Sequence, residues 1–227
     1  MKKILCFLAF VPVIGLSQIA EITTQKPASA SLKYELGFNL FSLTDASNRG
    51  PYYTNKNYDY SGNLFSGVFV KRHFNKNVIR FSYDYAHKIV NEKWTSYPWY
   101  SKTTGDIKSN EFKLGYEREF SSKKLVPFLS VDLCYNYSKA KGLSSVYGDF
   151  VSYEDQEYLI ERNEYSLCIG TGLKFNLAKN ISLVYEFGVQ SGYYHSQNLK
   201  NNPSHIFEEG KFFKLNPVRT LGVSIKF

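Results

Sequence analysis

The chain has 227 residues, 43% hydrophobic and 17% aromatic, with a formal net charge of +8 and a mean hydropathy of −0.33. The length fits one domain, two at most, and the hydropathy excludes a bundle of membrane helices, each needing about 20 consecutive apolar residues. The 19 tyrosines and 18 phenylalanines, with a charged fraction of only 21%, exclude a disordered chain.

In chain order, Lys2-Lys3 precede an apolar run from Ile4 to Leu16, and Gly15-Leu16-Ser17 place small residues at −3 and −1 of a cut before Gln18. A basic start, a short apolar core and a small-x-small site predict a secretory signal peptide over 1–17. Cys6 leaves with it. Residues 18–31 are read as a periplasmic N-terminal tail and 32–227 as the folded domain.

From residue 32 onward the pattern has a period of two, the signature of strands with two unlike faces. Leu32, Tyr34, Leu36, Phe38 and Leu40 alternate with Lys33, Glu35, Gly37 and Asn39. The same alternation runs through Ile79–Tyr85, Phe112–Tyr116, Leu129–Tyr137, Tyr165–Phe175, Ile181–Val189 and Leu221–Phe227. A further segment, Leu64 to Phe74, is strand-like, but its facing is ambiguous because Val68, Phe69 and Val70 are consecutive. The predicted strands are 32–43, 60–74, 78–89, 107–120, 125–139, 162–175, 181–190 and 211–227. No long segment has a helical period.

Short connections at 75–77, 121–124 and 176–180 alternate with long ones at 44–59, 90–106, 140–161 and 191–210. Strands running up and down therefore gather the short turns at one end and four long loops at the other. Each even strand closes on a phenylalanine, at Phe74, Phe120, Phe175 and Phe227, as an aromatic girdle at a membrane interface requires. Tyr83, Tyr85, Tyr135, Tyr137, Tyr165 and Tyr193 supply a second band toward the other end.

Three features place the apolar face outward. Gly37, Gly115, Gly170, Gly172, Gly188 and Gly222 share the polar face, as a crowded small-barrel interior demands. That face mixes signs within single strands, and buried charges need such partners. Closing a barrel also leaves no unpaired edge in lipid. The predicted fold is all-β, an eight-stranded antiparallel up-and-down transmembrane β-barrel. Its lumen is lined by Lys33, Glu35, Asn39, Arg80, Asp84, Lys113, Glu117, Asp132, Asn136, Lys174, Glu186, Gln190 and Lys226. Eight strands leave room only for side chains or one small ligand, so this polar network is expected to fill the barrel, with a narrow gated pore as the alternative.

The signal peptide, the eight alternating strands, the short turns opposite long loops and the terminal Leu221-x-Val223-x-Ile225-x-Phe227 resemble the small Gram-negative outer-membrane β-barrels of the OmpX/OmpA-transmembrane type. The resemblance implies an outer-membrane location with both termini periplasmic and contact with outer-membrane lipid. It also implies an assembly signal on Leu221, Val223, Ile225 and Phe227, read by the barrel-assembly machinery.

The remaining chemistry is sparse. Cys134 and Cys168 stand apart from any CxxC or Cys/His cluster, so no metal site is read; they are either a disulfide or two buried thiols. His195-Ser196 with the later Glu209 is a weak echo of lipid A deacylases, with Gln197 where their serine stands. Adjacent strand residues also face opposite ways, which makes His195 and Ser196 a poor nucleophile pair. No run of five basic residues points to nucleic acid. No catalytic residue and no cofactor is expected. The long loops are rich in aromatics, including Tyr52-Tyr53, Trp94, Tyr97-Pro98-Trp99-Tyr100, Tyr147, Phe150 and Tyr153, residue types that anchor partners. The expected function is thus non-enzymatic, in envelope integrity or surface interaction with an unidentified ligand or partner protein. A narrow porin-like channel and a lipid A-modifying hydrolase are the alternatives.

Overall fold

The computed structural model describes residues 33–45, 60–96, 99–121, 123–147, 152–199 and 207–227. The expected signal peptide, the tail and most of the connection 44–59 lie outside the described residues, as does the side chain of Lys33. Eight strands follow one another: β1 (Lys33–Asp45), β2 (Tyr60–Phe74), β3 (Asn77–Ser96), β4 (Trp99–Glu119), β5 (Leu125–Tyr147), β6 (Ser152–Asn176), β7 (Ile181–Asn198) and β8 (Phe207–Lys226). Each pairs antiparallel with its neighbours, and β8 returns to β1, giving a closed eight-stranded barrel. The seam is fastened at its end by reciprocal backbone hydrogen bonds: Tyr34 N donates to Phe227 O at 3.0 Å and Phe227 N to Tyr34 O at 2.9 Å.

At the short-turn end the strand limits agree with the sequence to within a residue or two. The β2–β3 turn is two residues, with Asn75 in the left-handed region (φ 59°), where asparagine is well tolerated. At the other end the strands run much further than predicted. Segments 90–96 and 99–106, read as one loop, are a continuation of the β3–β4 ladder up to Ser96↔Trp99. The stretches 140–147 and 152–161 continue β5–β6, and 191–198 and 207–210 continue β7–β8. The reason is chemical: these stretches are polar and rich in Ser, Thr, Lys and Gly, which reads as loop, although backbone pairing is indifferent to which face is apolar.

Register irregularities in β2 and β8 bear on which side chains face the lumen. In β2, Phe65 adopts φ 51° and an extra residue bulges opposite Asn39–Phe41. Beyond it the ambiguity resolves: Phe69 points inward at 5% exposure, while Val68 and Val70 point outward. In β8, extra residues lie between Asn216 and Thr220 opposite Glu186–Gly188. Pro217, which cannot donate to the ladder, stands in this bulge. The bulge turns Arg219 into the lumen, where strict alternation from Leu221 puts it outside.

Candidate functional site

The barrel is inside-out relative to a soluble protein. Leu36, Phe38, Ile79, Phe81, Leu114, Leu129, Leu133, Leu167 and Ile169 are among the large apolar side chains left exposed on its outer wall, Leu133 at 67%. Glu35, Arg80, Asp84, Lys113, Glu117, Asp132, Lys174 and Glu186 are buried inside. Burying charges while exposing leucines is unfavourable in water. It is the stable arrangement when the outer wall meets hydrocarbon.

The charges interlock in tiers. Nearest the short turns, Lys174 Nζ lies 3.2 Å from Glu35 Oε2 and contacts Glu119, while His73 Nε2 lies 2.8 Å from Glu35 Oε2. Lys226 is looser, 3.8 Å from Glu35. Lys71 pairs with Glu117. In the next tier Arg80 Nε donates to Asp132 Oδ1 at 2.7 Å, and its two terminal nitrogens donate to the two oxygens of Glu186, each at 2.8 Å. Arg219 completes that tier at 2.8 Å from Glu186 and 2.6 Å from Asp132. Above it Lys113 bridges Asp84 (2.8 Å) and Glu111 (2.9 Å). Highest, Glu164 takes Lys214 at 3.1 Å and Arg162 at 2.8 Å. Buried pairs are tolerated when geometry and extra hydrogen bonds offset desolvation, as this interlocking does.

Apolar side chains fill the gaps. Phe69, Phe128 and Val184 form a cluster inside the barrel. Gly37 and Gly172 make room for it: a Cβ at Gly37 would strike the Phe69 ring, and one at Gly172 the Phe128 ring. The void left between Asn39, Phe69, Lys71, Arg80, Glu186 and Arg219 is about 20 Å³, enough for roughly one water.

The sequence placed Glu35, Arg80, Asp84, Lys113, Glu117, Asp132, Lys174, Glu186 and Lys226 on the lumen face, and the structure brings all of them into this network. Lys71, His73, Glu119, Glu164, Lys214 and Arg219 were not read there. The consecutive Val68, Phe69 and Val70 hide Lys71 and His73, and the bulge at Pro217 hides Arg219. Glu119, Glu164 and Lys214 share the inward phase of their strands and could have been found by extending it. Phe74, Phe120, Phe175 and Phe227 stand at the short-turn ends of their strands, Phe227 being 72% exposed and stacked on Tyr34. Leu221, Val223, Ile225 and Phe227 lie on the outer face of β8 beside β1.

Toward the long hairpins the outer wall changes character at one cross-strand row, Tyr83, Phe112, Tyr135, Tyr165 and Tyr193. Successive ring centroids from Tyr83 to Tyr165 are 5.1, 6.5 and 5.1 Å apart. Tyr83 and Tyr135 donate to Asn110 (2.8 Å) and Asn163 (2.7 Å), the first outward amides beyond the row. Further out the outward residues are charged: Lys139 with Glu161 (2.9 Å), His195 with Glu209 (2.9 Å), and His87 and Lys141 each 3.8 Å from Asp106. On the inward face of the same stretch Ile107, Ala140 and Tyr158 are buried together with Ile160. Facing therefore reverses along continuous strands, from apolar-out to apolar-in. The reversal marks where hydrocarbon gives way to water.

His195 and Ser196 fall on opposite faces: His195 is outward against Glu209, and Ser196 is buried on the inward side. No histidine–serine pair for acyl transfer is assembled there. Cys134 and Cys168 both point inward, with Sγ atoms 2.8 Å apart.

A closed ring of eight antiparallel strands with a charged interior and an apolar outer wall defines a small outer-membrane-type transmembrane β-barrel. No protein-family model and no curated protein matches the chain. Among solved structures it is similar to a major outer membrane protein from Thermus thermophilus, at 12% identity and a TM-score of 0.46 over 87% of this chain and all of the other. It is also similar to Ail, the attachment invasion locus protein of Yersinia pestis, solved with the heparin analogue sucrose octasulfate (15%, 0.39, 88% of this chain and all of that one). A third is Neisserial surface protein A (14%, 0.37, again 88% and all). The assignment to the barrel class rests on the ring and its facing.

Proposed function

We propose that this chain is a non-enzymatic outer-membrane protein, with both termini periplasmic, whose filled barrel anchors a surface-displayed sheet that makes contacts outside the cell. The reversal of facing carries this reading. From Tyr135 to Tyr147, β5 runs about 40 Å beyond the aromatic row, at about 3.3 Å per residue. Over that length its hairpin with β6 is paired and has its own small apolar core, with charges turned to solvent. A folded projection of this kind is suited to presenting a fixed surface. Leu143 on its outer face and Ile89 on the adjoining β3–β4 hairpin, the latter at 78% exposure, are apolar residues of the type that anchors partners. The interlocked lumen favours an anchor over a channel. Outer-membrane lipid is the partner of the apolar wall, and the barrel-assembly machinery is the proposed reader of Leu221, Val223, Ile225 and Phe227.

The test has two arms. A Lys141→Cys variant is expected to react with a membrane-impermeant maleimide on intact cells; protection there, with reaction only after the outer membrane is opened, would reverse the topology. Replacing 139–161 by a short turn is expected to leave a heat-modifiable barrel while abolishing the adhesion or cell–cell aggregation conferred by the full chain. Equal adhesion from both forms, with a leaky envelope when the whole protein is missing, would move the role to envelope integrity.

A further inference from the structure

Cys134 on β5 and Cys168 on β6 are diagonal neighbours across one ladder, since Cys134 stands opposite Ser166 and Asp132 opposite Cys168. Both side chains enter the lumen, at 4% and 1% exposure, and their sulfurs lie 2.8 Å apart. Diagonal pairs in an antiparallel sheet are usually too distant for small side chains. Here the two thiols converge on each other in a space otherwise given to ion pairs. Arg219 Nη2 is 3.7 Å from Cys134 Sγ and Lys113 stands directly opposite Cys134, so charged groups flank the paired thiols.

We propose that Cys134 and Cys168 form a disulfide in the exported protein, joining the two strands of the longest hairpin inside the barrel. The step is thiol–disulfide exchange with a small-molecule or protein disulfide of the oxidising compartment. One cysteine thiolate attacks the donor disulfide and expels one thiol. The second cysteine then attacks the mixed disulfide and expels the other. The two cysteines lose two protons and two electrons, and the donor becomes two thiols. Because the sulfurs are sealed by the finished barrel, the exchange precedes closure of the ring, and the folded lumen afterwards shields the bond from reductant. The cross-link closes a loop that contains the whole projecting part of β5 and β6, so it ties the base of the displayed hairpin to its anchor. A disulfide of this kind acts chiefly by restricting the unfolded chain.

Protein purified from native outer membranes is unfolded in SDS with iodoacetamide and without reductant, then digested with trypsin. Cleavage after Lys124, Lys139, Arg162 and Lys174 releases 125–139 and 163–174, each with one of the two cysteines. The expected product is the two peptides joined, two hydrogens lighter than their sum, and separating when reductant is added. Recovery of both peptides alkylated without reductant overturns the proposal. In a Cys168→Ser variant Cys134 is expected to become alkylated without reductant; if it stays unreactive, its partner is not Cys168 and the proposal fails. Intact barrel incubated with dithiothreitol in detergent is expected to keep the cross-link until it is heat-unfolded, and loss of the bond before unfolding would refute the shielding.

Discussion

Arg80 and Glu186 meet across the full width of the barrel: β3 and β7 lie four strands apart in a ring of eight, and the guanidinium grips both carboxylate oxygens at 2.8 Å. A planar fork on a carboxylate is the most geometrically demanding of ion pairs. This one holds opposite walls at a fixed distance.

Removing one partner leaves the other charged and buried. Arg80→Met is therefore expected to destabilise the barrel by about 3–5 kcal/mol, since Asp132 and Glu186 lose one of the two guanidiniums that bridge them and keep Arg219. The check is the urea midpoint for loss of heat-modifiable mobility in detergent. A change below about 1 kcal/mol, the size of a surface pair, would show the network to be dispensable.

With only about 20 Å³ left open in the middle tier, the purified protein is expected to give no steady ion current in planar bilayers. Arg80→Ala with Arg219→Ala empties that tier and should produce measurable openings. Discrete openings from the unaltered protein would instead establish the channel reading.

Gly37 lies under the Phe69 ring. Gly37→Ala is expected to cost about 1–3 kcal/mol through overpacking, and Phe69→Leu in the same chain should restore most of it. The comparison needs four unfolding curves. Equal losses in the single and double variants would locate the strain in the backbone rather than in the ring contact.

The reversal of facing assigns a solvent to each outward position. A spin label at Leu133 is expected to be relaxed by oxygen, which partitions into lipid, and one at Lys139 or Lys141 by a water-soluble nickel chelate. In addition, Leu129→Arg, midway between the Phe175 end and the Tyr135 row, should destabilise by about 2–4 kcal/mol, as a charge near the bilayer midplane does, while Leu143→Arg on the projection should be nearly neutral. Equal costs at the two positions would show that the apolar band extends further than the aromatic row.

On the projection, the hydrogen bond from Lys139 holds the Glu161 carboxyl below the usual carboxylate range. A lowered carboxyl adds stability at neutral pH, and that contribution fades as pH falls through its titration. Carbon-13 NMR of the Glu161 carboxyl is expected to show its midpoint move upward in Lys139→Met, and an unmoved midpoint would rule out the pairing in solution.

The strand ring was legible in the sequence because membrane facing imposes alternation. Leu129, Val131 and Leu133 against Ser130, Asp132 and Cys134 leave little choice of phase, and Asn75, Ser121 and Asn176 punctuate the short turns. Legibility failed where phase was broken or reversed. Arg219 was hidden because the bulge at Pro217 shifts the register by a count no local pattern reveals. Phe69 was obscured by valines on both sides. The continuation of β5 past Lys139 was missed because an apolar-in, polar-out strand of Ser, Lys, Ala and Gly has too little hydrophobic contrast to stand out. The aromatic residues Trp94, Trp99, Tyr100, Tyr147 and Tyr153, read as loop decoration, lie on strands for the same reason.

The row from Tyr83 to Tyr193 also sets the depth at which the molecule rides. His87, Lys108, Lys139 and Glu161 stand four residues beyond the row, so sinking the barrel by more than that would carry them into hydrocarbon, and lifting it by as much would strand Leu133 and Leu167 in water. The same charges forbid the finished hairpins from crossing back. Once the hairpins have folded the molecule can neither slide nor turn over.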